Sequence, residues 1–378
     1  MAEIDRSGPM TFARFMEMAL YDPQDGYYMT HRETSEGKRP RIGWGGDFYT
    51  APELSPLLAR TLVQQVVEID AQLGHPAELV FVEMGAGTGA LARDFLKSCQ
   101  VDASDLFRRL SYRIIERSPS LQSMQQQNIN LANGQGASSP VRWLTSLADF
   151  QNESLTGVFF SNELVDAFPV HRVKGTLSGL QEILVDYVEG KFVERIGTLS
   201  SSKVTDYVQN QQIVVPEGCT SELHVQAGDW MAEVARVLHR GVVITVDYGH
   251  SATDYYQADR KAGTLLCYYR HTVSQDPYIR VGEQDMTAHV NFSALANIGA
   301  RHQLFPVGFT TLANWLMGLG VDDFVAELDE ESPAMRALAQ LLHPHGMGKT
   351  FKVLVQQKHL EAVSLKGLRF RAFFDDVL

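Results

Sequence analysis

Short apolar runs recur along the chain at residues 80–83 (VFVE), 112–116 (YRIIE), 141–144 (VRWL), 157–161 (GVFFS) and 241–247 (GVVITVD), each about one β-strand long. They are apolar on both faces, a pattern that suits strands covered by helices on each side of a sheet. The intervening segments supply those helices: 54–70, 89–98, 118–128, 229–238, 292–300 and 335–343 repeat apolar residues at three- and four-residue spacing. The pattern predicts an α/β fold with a doubly wound, mostly parallel sheet. Residues 350–356 (TFKVLVQ) add a late strand, and 302–307 (HQLFPV) a weaker one before it.

Two stretches exceed what such a sheet needs. Alternation over 182–196 (EILVDYVEGKFVERI) predicts a hairpin turning at 189–191, within an inserted β-rich subdomain spanning 173–228. Residues 251–291 form a second inserted region, loop-rich and carrying many Tyr, His and Gly. Residues 1–53, with a short amphipathic helix at 12–20, precede the first strand as a cap, which leaves 54–172 and 229–378 as the core. The insertions read as walls of a substrate site.

The 378 residues, 44% hydrophobic and 21% charged, have the make-up of a globular protein. No apolar run of membrane-spanning length appears and the first residues resemble neither a signal nor a transit peptide, so no membrane insertion is expected. The expected location is the cytoplasm, or the mitochondrial matrix for a eukaryotic protein whose presequence has been removed. A net charge of −12 opposes a phosphate backbone, which argues against nucleic acid as a partner; an acidic surface suits a cationic one. Cys99, Cys219 and Cys267 are odd in number and widely spaced, as expected of reduced buried thiols rather than of a disulfide framework or metal site.

Gly85, Gly87 and Gly89 follow a predicted strand and open a predicted helix, with Thr88 among them, so the backbone there can turn tightly against a ligand. With Ala90 they also satisfy G-x-G-x-x-A, so the glycines alone do not separate a dinucleotide from S-adenosylmethionine. Glu83 shifts the balance. A carboxylate just before the turn can accept bonds from the ammonium of S-adenosylmethionine but would repel a pyrophosphate. Glu116 ends the second strand, where a carboxylate can take both ribose hydroxyls; Arg117 follows, and Ser118 can also cap a helix begun by Pro119. Trp143 and Leu144, at the end of the third strand, are placed to pack the adenine face.

Asn162, Glu163 and Asp166 form a polar cluster at the carboxyl end of the fourth strand, where open α/β sheets place their chemistry. Glu163 and Asp166 could hold a guanidinium by paired hydrogen bonds; alternatively Asn162 and Asp166 are turn-formers before Pro169. Thr50 is expected to cap a helix with Pro52 and Glu53 in its first turn, and that helix start could face the methionine carboxylate. Residues 247–250 (DYGH) end the fifth strand and read either as a turn or as part of a site, since they lie on the same edge of the sheet as the glycine loop. His289, before a predicted helix, is a candidate general base.

Taken in order, GDFYTAPE, EMGAGTGAL, IIERSP, NELVDAFPV, VDYG and DMTAHVNF resemble the MidA-like family of protein arginine methyltransferases, which includes the mitochondrial complex I assembly factor. The resemblance runs from about Phe12 to Leu354. It implies a class I (Rossmann-like) methyltransferase fold, S-adenosylmethionine as donor, and symmetric dimethylation of an exposed protein arginine, on a respiratory complex I subunit in the mitochondrial members. By motif it puts Glu83, Gly85 and Gly87 on the cofactor loop, Glu116 on the ribose-binding acid, Asn162, Glu163 and Asp166 on the fourth-strand motif, and Thr50 and Pro52 on the pre-core signature. The chain departs from the family pattern after APE, where it has SPLLART, and at Asn291, where Asp is common. A homodimer stays open, as do two other functions: an assembly chaperone that retains the cofactor pocket, and a methyltransferase for a small molecule.

Overall fold

The computed structural model describes residues 2–30, 32–34, 37–39, 41–43, 45–133, 140–325, 332–361, 363–370 and 377. The five apolar runs fold as β1 (Leu79–Met84), β2 (Leu110–Ile115), β3 (Val141–Leu144), β4 (Leu155–Asn162) and β5 (Leu238–His250). Two later strands, β6 (Phe305–Thr311) and β7 (Phe351–Lys358), complete the main path of this sheet in the order β6-β7-β5-β4-β1-β2-β3. Neighbours from β5 to β3 are parallel, and β7 runs antiparallel to both β5 and β6. The winding direction reverses between β1 and β4, the point at which parallel sheets open a crevice beyond their carboxyl ends.

Alternation along the strands divides the core into two layers. Phe81, Tyr112, Phe160, Ile244 and Val353 pack with Leu58, Leu62 and Val66 of helix Leu57–Gln72, Phe95 of Ala90–Asp102 and Trp315 of Leu312–Gly318. Val80, Val82, Phe159, Val243 and Leu354 pack in the other layer with Trp230, Met231 and Val234 of Val225–Val237 and with Phe292 and Leu295 of Phe292–Arg301. Each fully buried side chain of this size contributes roughly 1.5–3 kcal/mol, so the layers hold the strand ends in fixed positions.

The structure departs from the sequence pattern at three places. The helix expected over 54–70 is two pieces, Ala51–Leu54 and Leu57–Gln72, because Ser55 is extended and Pro56 has no N–H with which to continue a helix. Thr50 precedes the first piece but its side chain makes no capping bond. Residues 247–250 are not a turn: they continue β5, whose end pairs with Val290–Asn291.

A second sheet combines Met10–Thr11 with His171–Thr176, Gly179–Val188, Lys191–Gly197 and Thr220–Leu223. Leu266–Tyr269, Thr272–Ser274 and Asp285–Thr287 make a third. One apolar cluster joins these regions: Phe12, Phe15 and Met16 of helix Phe12–Tyr21 pack with Val185 of the second sheet and with Cys267 and Met286 of the third. The N-terminal segment and parts of both insertions thus share a packing core.

Candidate active site

A cavity of about 650 Å³ lies between that packing core and the strand ends. Its strand side is lined by Glu83, Gly85, Gly87 and Thr88 from β1 and its loop, Glu116, Arg117 and Ser118 after β2, Asn162, Glu163 and Asp166 from β4 onward, and Tyr248 on β5. Thr50, Pro52, Tyr21, Tyr28, Tyr268, Asp285 and His289 close it from the other side. Leu144 is not in this wall. Its side chain packs on the second core layer, while Trp143 packs on the first and donates its indole N–H to Gln125 Oε1 at 3.0 Å. Strand residues point to the faces of a sheet rather than past its end, and the wall there is made by Leu147 of the next short turn and by Trp230 from a distant helix.

Gly85, Gly87 and Gly89 all have left-handed backbones, with φ of 72°, 53° and 83°, a conformation that glycine adopts without strain. A Cβ at Gly85 would also meet Leu164 Cδ1 at 2.9 Å. Buried Gln125 ties this loop to the second strand: its Nε2 donates to Gly87 O at 3.0 Å and to Glu116 Oε2 at 3.1 Å. Nothing in its residue type or its place on a helix marked that role in the sequence. Glu116 Oε1 accepts the Ser118 N–H at 2.8 Å, and burial raises its pKa. Glu83 accepts the Tyr112 hydroxyl at 2.6 Å, and burial pushes it up to about 7. Side-chain-free glycines between two buried acids fit a ligand that brings hydroxyls and an ammonium, as S-adenosylmethionine does.

Three carboxylates face the other end of the cavity, each with one oxygen anchored. Glu163, itself left-handed at φ 51°, accepts the Ala51 N–H at 3.3 Å and the Asn162 amide at 3.0 Å, both on Oε1. Asp166 Oδ2 accepts the Tyr248 hydroxyl. Asp285 Oδ1 accepts the Tyr28 hydroxyl at 2.7 Å and the Met286 N–H at 2.9 Å. Among the described residues no donor reaches Glu163 Oε2, Asp166 Oδ1 or Asp285 Oδ2. Burial, then the neighbouring charge of Asp166, pushes Glu163 up to about 8 and Asp285 to about 7; burial lifts Asp166 to about 6. Behind them, fully buried Asp247 accepts the N–H groups of Val165 at 3.0 Å and Asp166 at 3.3 Å, and so shapes the loop that carries Asp166.

His289 lies in the wall with its Nδ1 3.0 Å from His250 Nε2 and its ring edge-on to Tyr248. Burial, then the His250 ring, pushes it down to about 3, which makes it a weak proton acceptor near neutral pH. Asp285 and Tyr28 were not singled out in the sequence, although Asp285 heads DMTAHVNF and Tyr28 ends YDPQDGYY. Both motifs are visible; their meeting across 257 residues is not.

A doubly wound sheet with a glycine loop at its switch point, facing an anionic chamber, defines a Rossmann-like enzyme that uses a nucleoside cofactor. Residues 57–310 match the family described as S-adenosyl-L-methionine-dependent methyltransferase, and the chain belongs to that family; its fold is the class I methyltransferase fold and its donor S-adenosylmethionine. A Burkholderia thailandensis protein crystallised with S-adenosyl-homocysteine superposes with a TM-score of 0.86 at 32% identity, over 97% of this chain and 92% of that one. The protein arginine methyltransferase NDUFAF7, mitochondrial, of Danio rerio is 28% identical over 92% of this chain and 81% of its own length. The Homo sapiens protein of that name is 25% identical over 98% and 84%.

Proposed function

We propose that this enzyme methylates a guanidinium nitrogen of a protein arginine, with Glu163 and Asp166 holding the guanidinium. The observation that carries this reading is the set of acceptors that no donor reaches among the described residues, at one end of the cavity: Glu163 Oε2, Asp166 Oδ1, Asp285 Oδ2 and Asn162 Oδ1. Buried carboxylates without a counter-charge are costly, and their raised pKa values express that cost. A guanidinium brings five N–H donors, no acceptor and a charge it does not lose, and so it matches the deficit. The curated relatives carry the name protein arginine methyltransferase.

S-adenosylmethionine supplies a sulfonium methyl group. Glu83, the glycine loop, Thr88, Glu116, Arg117, Ser118, Thr50, Pro52 and Asn162 would hold it, and Leu147 and Trp230 replace Leu144 as the apolar wall. Glu163 and Asp166 orient the acceptor nitrogen, so catalysis is mostly positioning and electrostatics. Several finer assignments belong to the same proposal: an acceptor on a respiratory complex I subunit, symmetric dimethylation, a homodimer, and residence in the cytoplasm, or in the mitochondrial matrix if the protein is eukaryotic, the relatives being named mitochondrial. Among the described residues no helix is long and apolar enough to cross a membrane.

Mass spectrometry of arginine methylation in cells with and without the gene tests the reading. At least one methylarginine site is expected to disappear on deletion and to return with the wild-type protein but not with Glu163→Gln. Label on another residue type, or full complementation by Glu163→Gln, would overturn it.

A further inference from the structure

Resting on arginine as the acceptor, we propose that Asp285 is the general base that removes the proton the acceptor nitrogen must lose. Two carboxylates on the fourth-strand loop suffice to hold a guanidinium through paired bonds. Asp285 is a third, delivered by a different element, the strand Asp285–Thr287 of the inserted sheet. It is buried and lines the same cavity. The Tyr28 hydroxyl and the Met286 N–H fix its Oδ1, which leaves Oδ2 as the oxygen able to receive a proton. The step balances without another reagent: the acceptor nitrogen forms the N–CH3 bond, the S–CH3 bond breaks with its electron pair left on sulfur, and the displaced N–H proton passes to Asp285 Oδ2.

The surroundings tune it. Asp166 and Glu163 face Asp285 from the fourth-strand loop, Asp47, Tyr21, Tyr27 and Tyr28 from the N-terminal segment, and Cys267 and Tyr268 from the adjacent strand. Burial and Asp166 lift Asp285 to about 7, whereas the Tyr28 bond pulls it down. An acid in that range suits a base working near neutral pH. His289 is pushed to about 3 and its Nδ1 is engaged with His250.

Asp285→Asn tests the assignment. It keeps an oxygen for Tyr28 and Met286 and turns a donor toward the cavity. The substrate is lysate from cells lacking the gene, supplied with methyl-tritiated S-adenosylmethionine and full-length enzyme at pH 6–9. Released label is identified by amino-acid analysis, and S-adenosyl-homocysteine binding is measured by calorimetry. Asp285→Asn is expected to lower the maximal rate roughly 100- to 10,000-fold, to leave S-adenosyl-homocysteine affinity unchanged, and to abolish the acidic limb of the rate profile; Asp285→Glu should recover part of the rate. A rate within threefold of wild type, or a change in KM alone, overturns the base. If Asp285→Asn loses S-adenosyl-homocysteine binding, Tyr28→Phe decides: removing the bond that pulls Asp285 down should move the acidic limb to higher pH, and an unmoved limb overturns the proposal. Wild-type label on a residue other than arginine removes the arginine reading, while the Asp285→Asn rate ratio on that product still judges the base; no wild-type label counts against both.

Discussion

Two buried acids away from the cavity, Asp70 and Glu182, and the acids Glu163, Asp166 and Asp285 within it live under opposite conditions. Asp70, on the helix Leu57–Gln72, accepts two bonds from Arg109, at 3.0 and 2.7 Å, and a third from His75 at 2.7 Å. Glu182, in the inserted sheet, accepts from His171 at 2.7 Å and from the Ser200 N–H at 2.6 Å. Burial raises the pKa of both, but these bonds outweigh it and leave each below the usual carboxylate value. Glu163, Asp166 and Asp285 have hydroxyl, amide or peptide partners on one oxygen each and, among the described residues, no cation as a bonding partner, and all three are raised. Acids of the first kind come with a counter-charge from the chain. Those of the second kind are left for one that arrives from outside, and the fold bears their cost until it does.

Glu163→Gln should break the second set with the largest effect. Gln keeps the oxygen that Ala51 and Asn162 bond and replaces the other acceptor with a donor, so kcat/KM for the protein acceptor should fall roughly 100-fold or more while S-adenosyl-homocysteine still binds. Steady-state kinetics and calorimetry read the two halves separately. Asp70→Asn should act in the reverse sense. It removes one side of an internal ion pair and is expected to destabilise the fold by about 1–3 kcal/mol in denaturant unfolding, with kcat unchanged. Were Asp70 an acid of the cavity kind, the neutral variant would instead be more stable. Asp166→Asn sharpens the contrast: it removes a buried charge beside Glu163 and Asp285, so it should stabilise the ligand-free protein at pH 8 by about 0.5–2 kcal/mol while methyl transfer is lost.

The main sheet was legible because its strands are apolar on both faces and its helices keep their period, signals that each segment carries alone. That the glycine loop, Glu83, Glu116 and the cluster at 162–166 gather at the strand ends and line one cavity was legible for the same reason, since each sits at the end of one such segment. What escaped depends on contacts between distant segments. Trp230 belongs by its pattern to a core helix and meets the cavity only because that helix packs against the turn holding Leu147. Leu144 lies off the cavity wall because a strand-end residue follows the alternation of its strand. Tyr28 and Asp285 lie 257 residues apart and meet only in the fold, and residues 247–250 resemble a turn in sequence because the partner that extends the strand, Val290–Asn291, comes forty residues later.

The smallest expected effect concerns pH, and its sign separates the two kinds of acid. Folding raises Glu83 and Asp285 to about 7, Glu163 to about 8 and Asp166 to about 6. Between the ordinary carboxylate pKa and those values the folded protein binds more protons than the unfolded chain. The stability these groups contribute is therefore full below about pH 4 and is lost as pH rises through about 6–8. Asp70 and Glu182, lowered by folding, contribute above the ordinary carboxylate range and lose that contribution only as pH falls through their folded-state values. One pKa unit corresponds to about 1.4 kcal/mol; hydration at the open cavity reduces the effect, so ligand-free stability should decline by about 1 kcal/mol from pH 5.5 to 8. Denaturant midpoints across that range would show it, and Asp166→Asn should flatten the decline while Asp70→Asn leaves its slope unchanged. A midpoint that rises from pH 5.5 to 8 in the wild type would mean that the cavity acids already hold a counter-charge, and the distinction between the two sets would fail.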